Sequence, residues 1–206
     1  MLDAIRTVVV AAMIPGGYGV MIVAHSLIAG PQGTRKEVDR FIHGPGSYIG
    51  DIVNHQPRFR NNPTSLSPRR FNITGLSPNG ALPQTRYFPR QRDFPTDQIE
   101  QAVKAGARAI VLGTYHGGYW PKESVKEMLP LIKKHRVLVI LADPTPAGYV
   151  QESKFGFGVP AGDWDPFQLL SYLRYVLLFT NNKEDICMAI WSGVATAVIA
   201  IEPTTE

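Results

Sequence analysis

Ala105–Trp120 reads AGARAIVLGTYHGGYW, and Pro121 follows it. Ala109–Leu112 is a run of apolar residues short enough to be a buried strand. Gly113–Trp120 is a glycine-rich loop, and Pro121 suits the first position of a helix running to Lys134. Working outward, Thr96-Asp97 caps a helix to Ala105 that Gly106 closes, and Val137–Ala142 is a second all-apolar strand. Helix, strand, glycine-rich loop, helix and strand in that order make a right-handed parallel α/β unit. Further on, Asp165-Pro166 starts a helix through about Phe179, Asn181-Asn182 breaks it, and another helix begins at Glu184. There is no internal repeat.

Upstream the pattern is less regular. Leu2–Ile14 reads as a buried helix stopped by Pro15-Gly16-Gly17. Gly19–Ile28 (GVMIVAHSLI) is rich in valine and isoleucine and reads as a buried strand with a turn before Gly30-Pro31. Thr34–Phe41 (TRKEVDRF) reads as a short helix from the spacing of Val38 and Phe41. Thr34 would be its N-cap, with Glu37 three residues later. Gly50–Phe59 alternates enough for a hairpin or an edge strand. Prolines at 63, 68, 78, 83, 89 and 95 punctuate the stretch Pro63–Pro95, which reads as a linker or an arm laid over a surface.

Composition removes several function classes. A chain of 206 residues, 44% hydrophobic, can bury a core as one domain or two small ones. The single cysteine, Cys187, excludes a disulfide framework and a cysteine-rich metal site. No secretory leader pattern opens the chain, so the sequon Asn72-Ile73-Thr74 is expected to be unused. The run Ile186–Ile201 is apolar and uncharged. A membrane span needs about 20 residues, so a buried helix or strand is favoured there over a tail anchor. The net charge of +4 is unevenly spread. Ile52–Arg92 carries seven arginines (Arg58, Arg60, Arg69, Arg70, Arg86, Arg90 and Arg92) and no acid. This arm has three readings: a nucleic-acid surface with Phe59, Phe71, Tyr87 and Phe88 for stacking, a linker whose arginines pair with acids, and a solvated loop. No RRM or KH signature is present, and the linker reading is favoured.

Among candidate site residues, the loop Gly113–Trp120 sits at the carboxyl edge of a parallel strand and leads into a helix N-terminus. Ligands bind at such edges in open α/β sheets, and free amides there favour an anion such as a substrate carboxylate. The spacing is neither G-x-G-x-x-G nor a P-loop, so a nucleotide is poorly supported. Equally, the glycines serve a tight turn. His25, His43, His55, His116 and His135 do not cluster as metal ligands, and there is no G-x-S-x-G elbow. Cys187 reads as a small hydrophobe, and the pair Asp163 and Asp165 as helix-capping residues. Arg35-Lys36, at a loop-to-helix junction, would suit an oxyanion or a base, although a solvated charge pair is the commoner use.

The order of these segments resembles the bacterial-type L-asparaginase/glutaminase family. Leu2-Asp3-Ala4-Ile5-Arg6 resembles its L-x-D-A-[IV]-R helix, and Gly19–Gly30 its strand pair. Thr34-Arg35-Lys36 and Phe41 fall where the family has a threonine, the catalytic lysine and a phenylalanine. Gly46–Ile52 resembles the G-P-L-G-x-[IV] turn, and Ala105–Gly113 the segment A-G-[AV]-x-G-[IV]-V-[LIV]-x-G. Gly117-Gly118 with Pro121 matches the loop G-x-G-[NHG]-x-P. Val137–Gly148 and Trp164–Phe179 follow in register.

The resemblance implies an α/β fold: an asparaginase-like N-terminal domain remainder over 1–76, a linker over 77–95 and a smaller parallel α/β C-terminal domain over 96–206. It implies an amidohydrolase releasing ammonia from asparagine or a related amide through a covalent acyl-enzyme, with no cofactor and no metal. The carried-over site is Lys36 and Arg35 for catalysis and His116, Gly117 and Gly118 for substrate. It also implies a cytoplasmic protein without a membrane segment, and a homo-oligomer or partner-subunit assembly.

The departures from the family are as informative. The chain contains neither the T-G-G-T nor the T-D-T segment that carries the family's nucleophilic threonine and its aspartate. Those segments precede the helix that opens this chain, so the resemblance is to a short form. Aligned tightly, the lysine position is Arg35, and Lys36 fills it only after a one-residue shift; arginine cannot relay a proton. Thr85–Arg90 is a poor match for a central strand. The expectation is impaired or absent hydrolysis by this chain, an uncovered apolar helix and an open sheet edge. A non-catalytic binding or assembly module is the alternative, and an arginine-rich nucleic-acid binder the less favoured third.

Overall fold

The computed structural model describes residues 2–13, 20–30, 33–44, 47–60, 80–145, 148–154 and 156–192. The chain divides into two compact units, the division falling between residues 75 and 76 and the second unit running to Trp191.

The first unit is one helix on an antiparallel sheet. Helix α1 (Leu2–Ala12) is apolar nearly all round. It turns its small residues Thr7 and Ala11 inward, onto β1 (Ile22–Ala24) and β6 (Gln56–Phe59). Leu2, Ile5, Val8, Val9 and Met13 are each half or more exposed, so this is not the buried helix that its apolar run suggests but the uncovered one that the departures from the family imply. The sheet runs β1, β2 (Leu27–Ala29), β5 (Tyr48–Val53), β6. Its core is Ala11, Ile28, Ile49 and Ile52. Gly19–Ile28 is therefore not one strand: a two-residue turn at His25-Ser26 folds it into the β1–β2 hairpin. The β5–β6 turn, Asn54-His55, has positive φ at both residues (50° and 62°). Tight two-residue hairpins demand that conformation.

Thr34–Phe41 is a hairpin and not a helix. Strands β3 (Arg35–Glu37) and β4 (Arg40–Ile42) pair antiparallel around Val38-Asp39. Thr34 is buried, and its hydroxyl donates to the Gly30 carbonyl at 2.6 Å where an N-cap would accept from a helix amide. The spacing of Val38 and Phe41 misleads because neither enters a core: Val38 is 97% exposed and Phe41 36%.

The second unit follows the sequence closely. A parallel sheet in the order β10-β9-β8-β7 is formed by β7 (Gln84–Phe88), β8 (Ala107–Gly113), β9 (Leu138–Ala142) and β10 (Val159–Pro160). Between the strands lie α2 (Asp97–Lys104) and α3 (Lys122–His135). Helix α4 (Pro166–Phe179) packs on β7 and β8, and α5 (Lys183–Ser192) follows. Ile110, Leu112, Val139 and Leu141 pack against Ile99 of α2 and Met128 of α3. Ala109, Ile110, Val111 and Leu112 have no exposed surface; burial on both faces is why β8 reads as a continuous apolar run. Each such large side chain contributes roughly 1.5–3 kcal/mol. The stretch expected to be linker supplies β7, and Thr85–Phe88 is a real strand. It lies at the edge of the sheet, where the following Pro89 is tolerated.

Candidate functional site at the carboxyl edge of the parallel sheet

Strands β8 and β9 end side by side at Gly113 and Ala142. Thr114, next on β8, is buried, and its amide donates to the Ala142 carbonyl at 2.8 Å. The chain then folds into a small closed loop: the Tyr115 amide donates to the Tyr119 carbonyl at 2.9 Å, around a 3-10 turn at His116–Gly118. Gly117 and Gly118 have φ of 71° and 87°. A Cβ on Gly118 would also lie 2.9 Å from Val150. Both glycines are thus required by the turn, whatever else they do. Helix α3 starts immediately after, and no side chain caps its first turn.

On the β9 side, Asp143 follows Ala142. Its carboxylate is buried at 0% exposure, beneath the exposed His116 ring. One oxygen, Oδ1, accepts from the Thr145 amide at 2.9 Å and hydroxyl at 2.8 Å. The other, Oδ2, is buried without a hydrogen-bond donor among the described residues. His116 Nδ1 faces it at 3.4 Å, too far for a good hydrogen bond but close enough for strong attraction when the ring is protonated. Gly148 closes the carboxylate in from another side: a Cβ there would lie 2.6 Å from Asp143 Cβ and Cγ.

Two aromatic groups border the edge. The Arg90 guanidinium lies 5.7 Å over the Tyr115 ring. Tyr87 has its phenol pushed above the ordinary value by burial first and by Asp165 second, with Arg90 opposing. Asp165 is the N-cap of α4, accepting from the Phe167 amide at 2.9 Å and the Gln168 amide at 3.2 Å, as the capping reading requires. Cys187 is half-buried, and burial is the main cause that raises its thiol pKa.

The sequence-derived site residues fall in two places. His116, Gly117 and Gly118 come together in the second unit. Arg35 and Lys36 lie on the β3–β4 hairpin of the first, Lys36 exposed and opposite Phe41, Arg35 half-buried and opposite Ile42. No group of three metal-ligating side chains gathers among the described residues, and no helix among them is long and apolar enough to cross a membrane. Sequence reasoning missed Asp143. Its signal was a lone acid directly after an all-apolar strand, in Asp143-Pro144-Thr145, a spacing that favours the local turn seen here.

Within the arginine arm, Arg60 pairs with Asp51 at 3.3 Å and Arg90 stacks on Tyr115. Arg69, Arg70 and the sequon at Asn72 lie outside the described residues.

No protein-family profile matches the chain, and no curated protein matches it by sequence. A solved structure does match: a probable cytoplasmic L-asparaginase from Campylobacter jejuni, at 23% identity and a TM-score of 0.68. The fold is asparaginase-like. The match covers 92% of this chain and 60% of that one, so this chain spans less than two thirds of its length.

Proposed function

We propose that this asparaginase-like chain binds asparagine, or a related small amide, at the carboxyl edge of β8 and β9, and that these 206 residues do not hydrolyse it at an enzyme's rate. The observation that carries the reading is the Asp143 carboxylate, buried, with one oxygen lacking a donor among the described residues and facing an exposed imidazole. A buried carboxylate oxygen left without a donor costs stability, and native sites keep such an atom where it orients a working group. Asp143 favours the His116 tautomer with its proton on Nδ1, which leaves Nε2 to meet a ligand. The glycine turn and the uncapped start of α3 supply amides for the ligand's carboxylate.

Hydrolysis needs a nucleophile beside a base. The T-G-G-T and T-D-T segments are not in the sequence, and Lys36 lies exposed on a hairpin. The same reading puts the chain in the cytoplasm, as the name of the Campylobacter protein does for that protein. The test is calorimetric titration with asparagine and glutamine alongside an ammonia assay. Saturable binding without ammonia above a blank is expected. Ammonia release that Lys36→Ala abolishes would make the chain a complete amidohydrolase; no binding of either amide would remove the reading.

A second reading, an assembly module, is favoured by one observation: the exposed apolar face of α1. A face of that kind marks an interaction surface.

A further inference from the structure

We propose that the opposite end of the same sheet holds a second, separate binding site, for a small organic dianion. A cavity of about 390 Å³ opens there, where β8 and β9 begin, between the end of α3 and the start of α5. That volume is in the range of small-molecule sites, roughly 300–1,000 Å³. Four basic residues line it (Arg108, His135, Arg136 and Lys183) and no acid does. Ile132, Leu177 and Ile186 supply an apolar wall.

The cations at this cavity are not neutralised from within. The side chains of Arg108, Arg136 and Lys183 make no ion pair or hydrogen bond among the described residues. Glu100 of α2 engages Lys104 at 3.6 Å and Lys134 at 3.3 Å, with His135 Nε2 3.6 Å away, and does not line the cavity. Arg108, Arg136 and Lys183 are exposed residues of the cavity lining; like charges sharing one opening repel one another, and an anion relieves that repulsion. The positive end of the α5 dipole acts in the same sense; the acids of its first turn, Glu184 and Asp185, do not line the cavity. The negative end of α3 opposes it, but the last turn of α3 carries Lys133 and Lys134.

Arg136 itself is held at φ 50°, the left-handed conformation that ends α3. Glycine is the usual residue there. An arginine in its place is conformationally unfavourable, and it lines a cavity that no acid lines. Two guanidinium groups match the paired oxygens of a phosphate or carboxylate, and the apolar wall selects an organic body over a bare inorganic ion.

The full chain is titrated at fixed ionic strength with phenyl phosphate, inorganic phosphate and succinate, reading heat and thermal midpoint. Phenyl phosphate or succinate is expected to bind saturably, and more tightly than inorganic phosphate; whichever of the two binds identifies the head group. Arg136→Gly is the decisive variant, because it relaxes the backbone. It should raise the thermal midpoint while weakening the organic anion about tenfold or more, as loss of a charged hydrogen-bond donor implies. Lys183→Gln should weaken it in the same sense, whereas Arg174→Gln, away from the cavity, should leave it unchanged. Absence of saturable binding by both organic anions overturns the proposal. So does equal weakening by Arg174→Gln, or stabilisation that sodium chloride reproduces at equal ionic strength.

Discussion

His116 Nδ1 stands 3.4 Å from Asp143 Oδ2, and the two side chains are opposites in exposure: 86% for the imidazole and 0% for the carboxylate. One partner is fixed by the fold, since Thr145 holds its other oxygen and Gly148 leaves it no room to turn. The other partner is free to meet solvent. In the proposed site, a fixed acceptor beneath an exposed imidazole favours the tautomer with its proton on Nδ1.

Asp143→Asn keeps the shape and reverses the polarity, offering an N–H where a lone pair stood. The His116 tautomer should switch from Nδ1–H to Nε2–H, visible in the nitrogen chemical shifts of the ring. Asparagine affinity should fall about tenfold, in line with changes to the partner of a working histidine. An unchanged tautomer would mean that Asp143 serves only the turn with Thr145.

Gly148→Ala drives a methyl into the Asp143 side chain, 2.6 Å from its Cβ and Cγ. Overpacking of this kind costs roughly 1–3 kcal/mol. Urea denaturation should show that loss, and stability within about 0.5 kcal/mol of the parent would show that the loop yields.

Tyr172 gives the second unit an alkaline limit. Its ring stacks on Trp164 at 4.8 Å, its hydroxyl donates to the Ala189 carbonyl at 3.1 Å, and burial pushes its pKa up to about 12. A phenol raised in the folded state stabilises fully below the unfolded value near 10, and that stability is lost as pH rises toward 12. A phenol raised from 10 to about 12 corresponds to about 3 kcal/mol. Stability measured between pH 9 and about 12 should fall more steeply for the parent than for Tyr172→Phe; parallel curves would count against the burial.

The exposed face of α1 tests the assembly reading. Ile5→Glu with Val9→Lys places an i,i+4 ion pair on that face and leaves Thr7 and Ala11 on the sheet. Folding stability should change by less than about 0.5 kcal/mol, while the mass from sedimentation should drop to that of a single chain. A parent that already sediments as a single chain removes the reading.

How much of this was legible in the sequence varies along the chain. Asp165 with Pro166 announced α4 because the cap and the proline act locally. The all-apolar runs announced β8 and β9 because both faces of those strands are buried. The β3–β4 hairpin was misread because an eight-residue segment holds too few apolar positions to separate a period of 3.6 from one of 2. Strand β7 hid among prolines that an edge position allows. Asp143 was invisible as a site residue because its importance lies in what surrounds it: an oxygen without a donor among the described residues, and a glycine on which a Cβ would lie 2.6 Å from a carbon of Asp143. No spacing encodes that.

The central claim is tested most directly in a single sample. The isotope-labelled chain is titrated with asparagine while amide and imidazole signals and released ammonia are followed together. Saturable shifts confined to Thr114–Gly118 and Asp143, absent in His116→Ala and unaccompanied by ammonia, are the expected result. Ammonia produced in proportion to protein, or asparagine leaving the His116 and Asp143 signals unmoved, would contradict it.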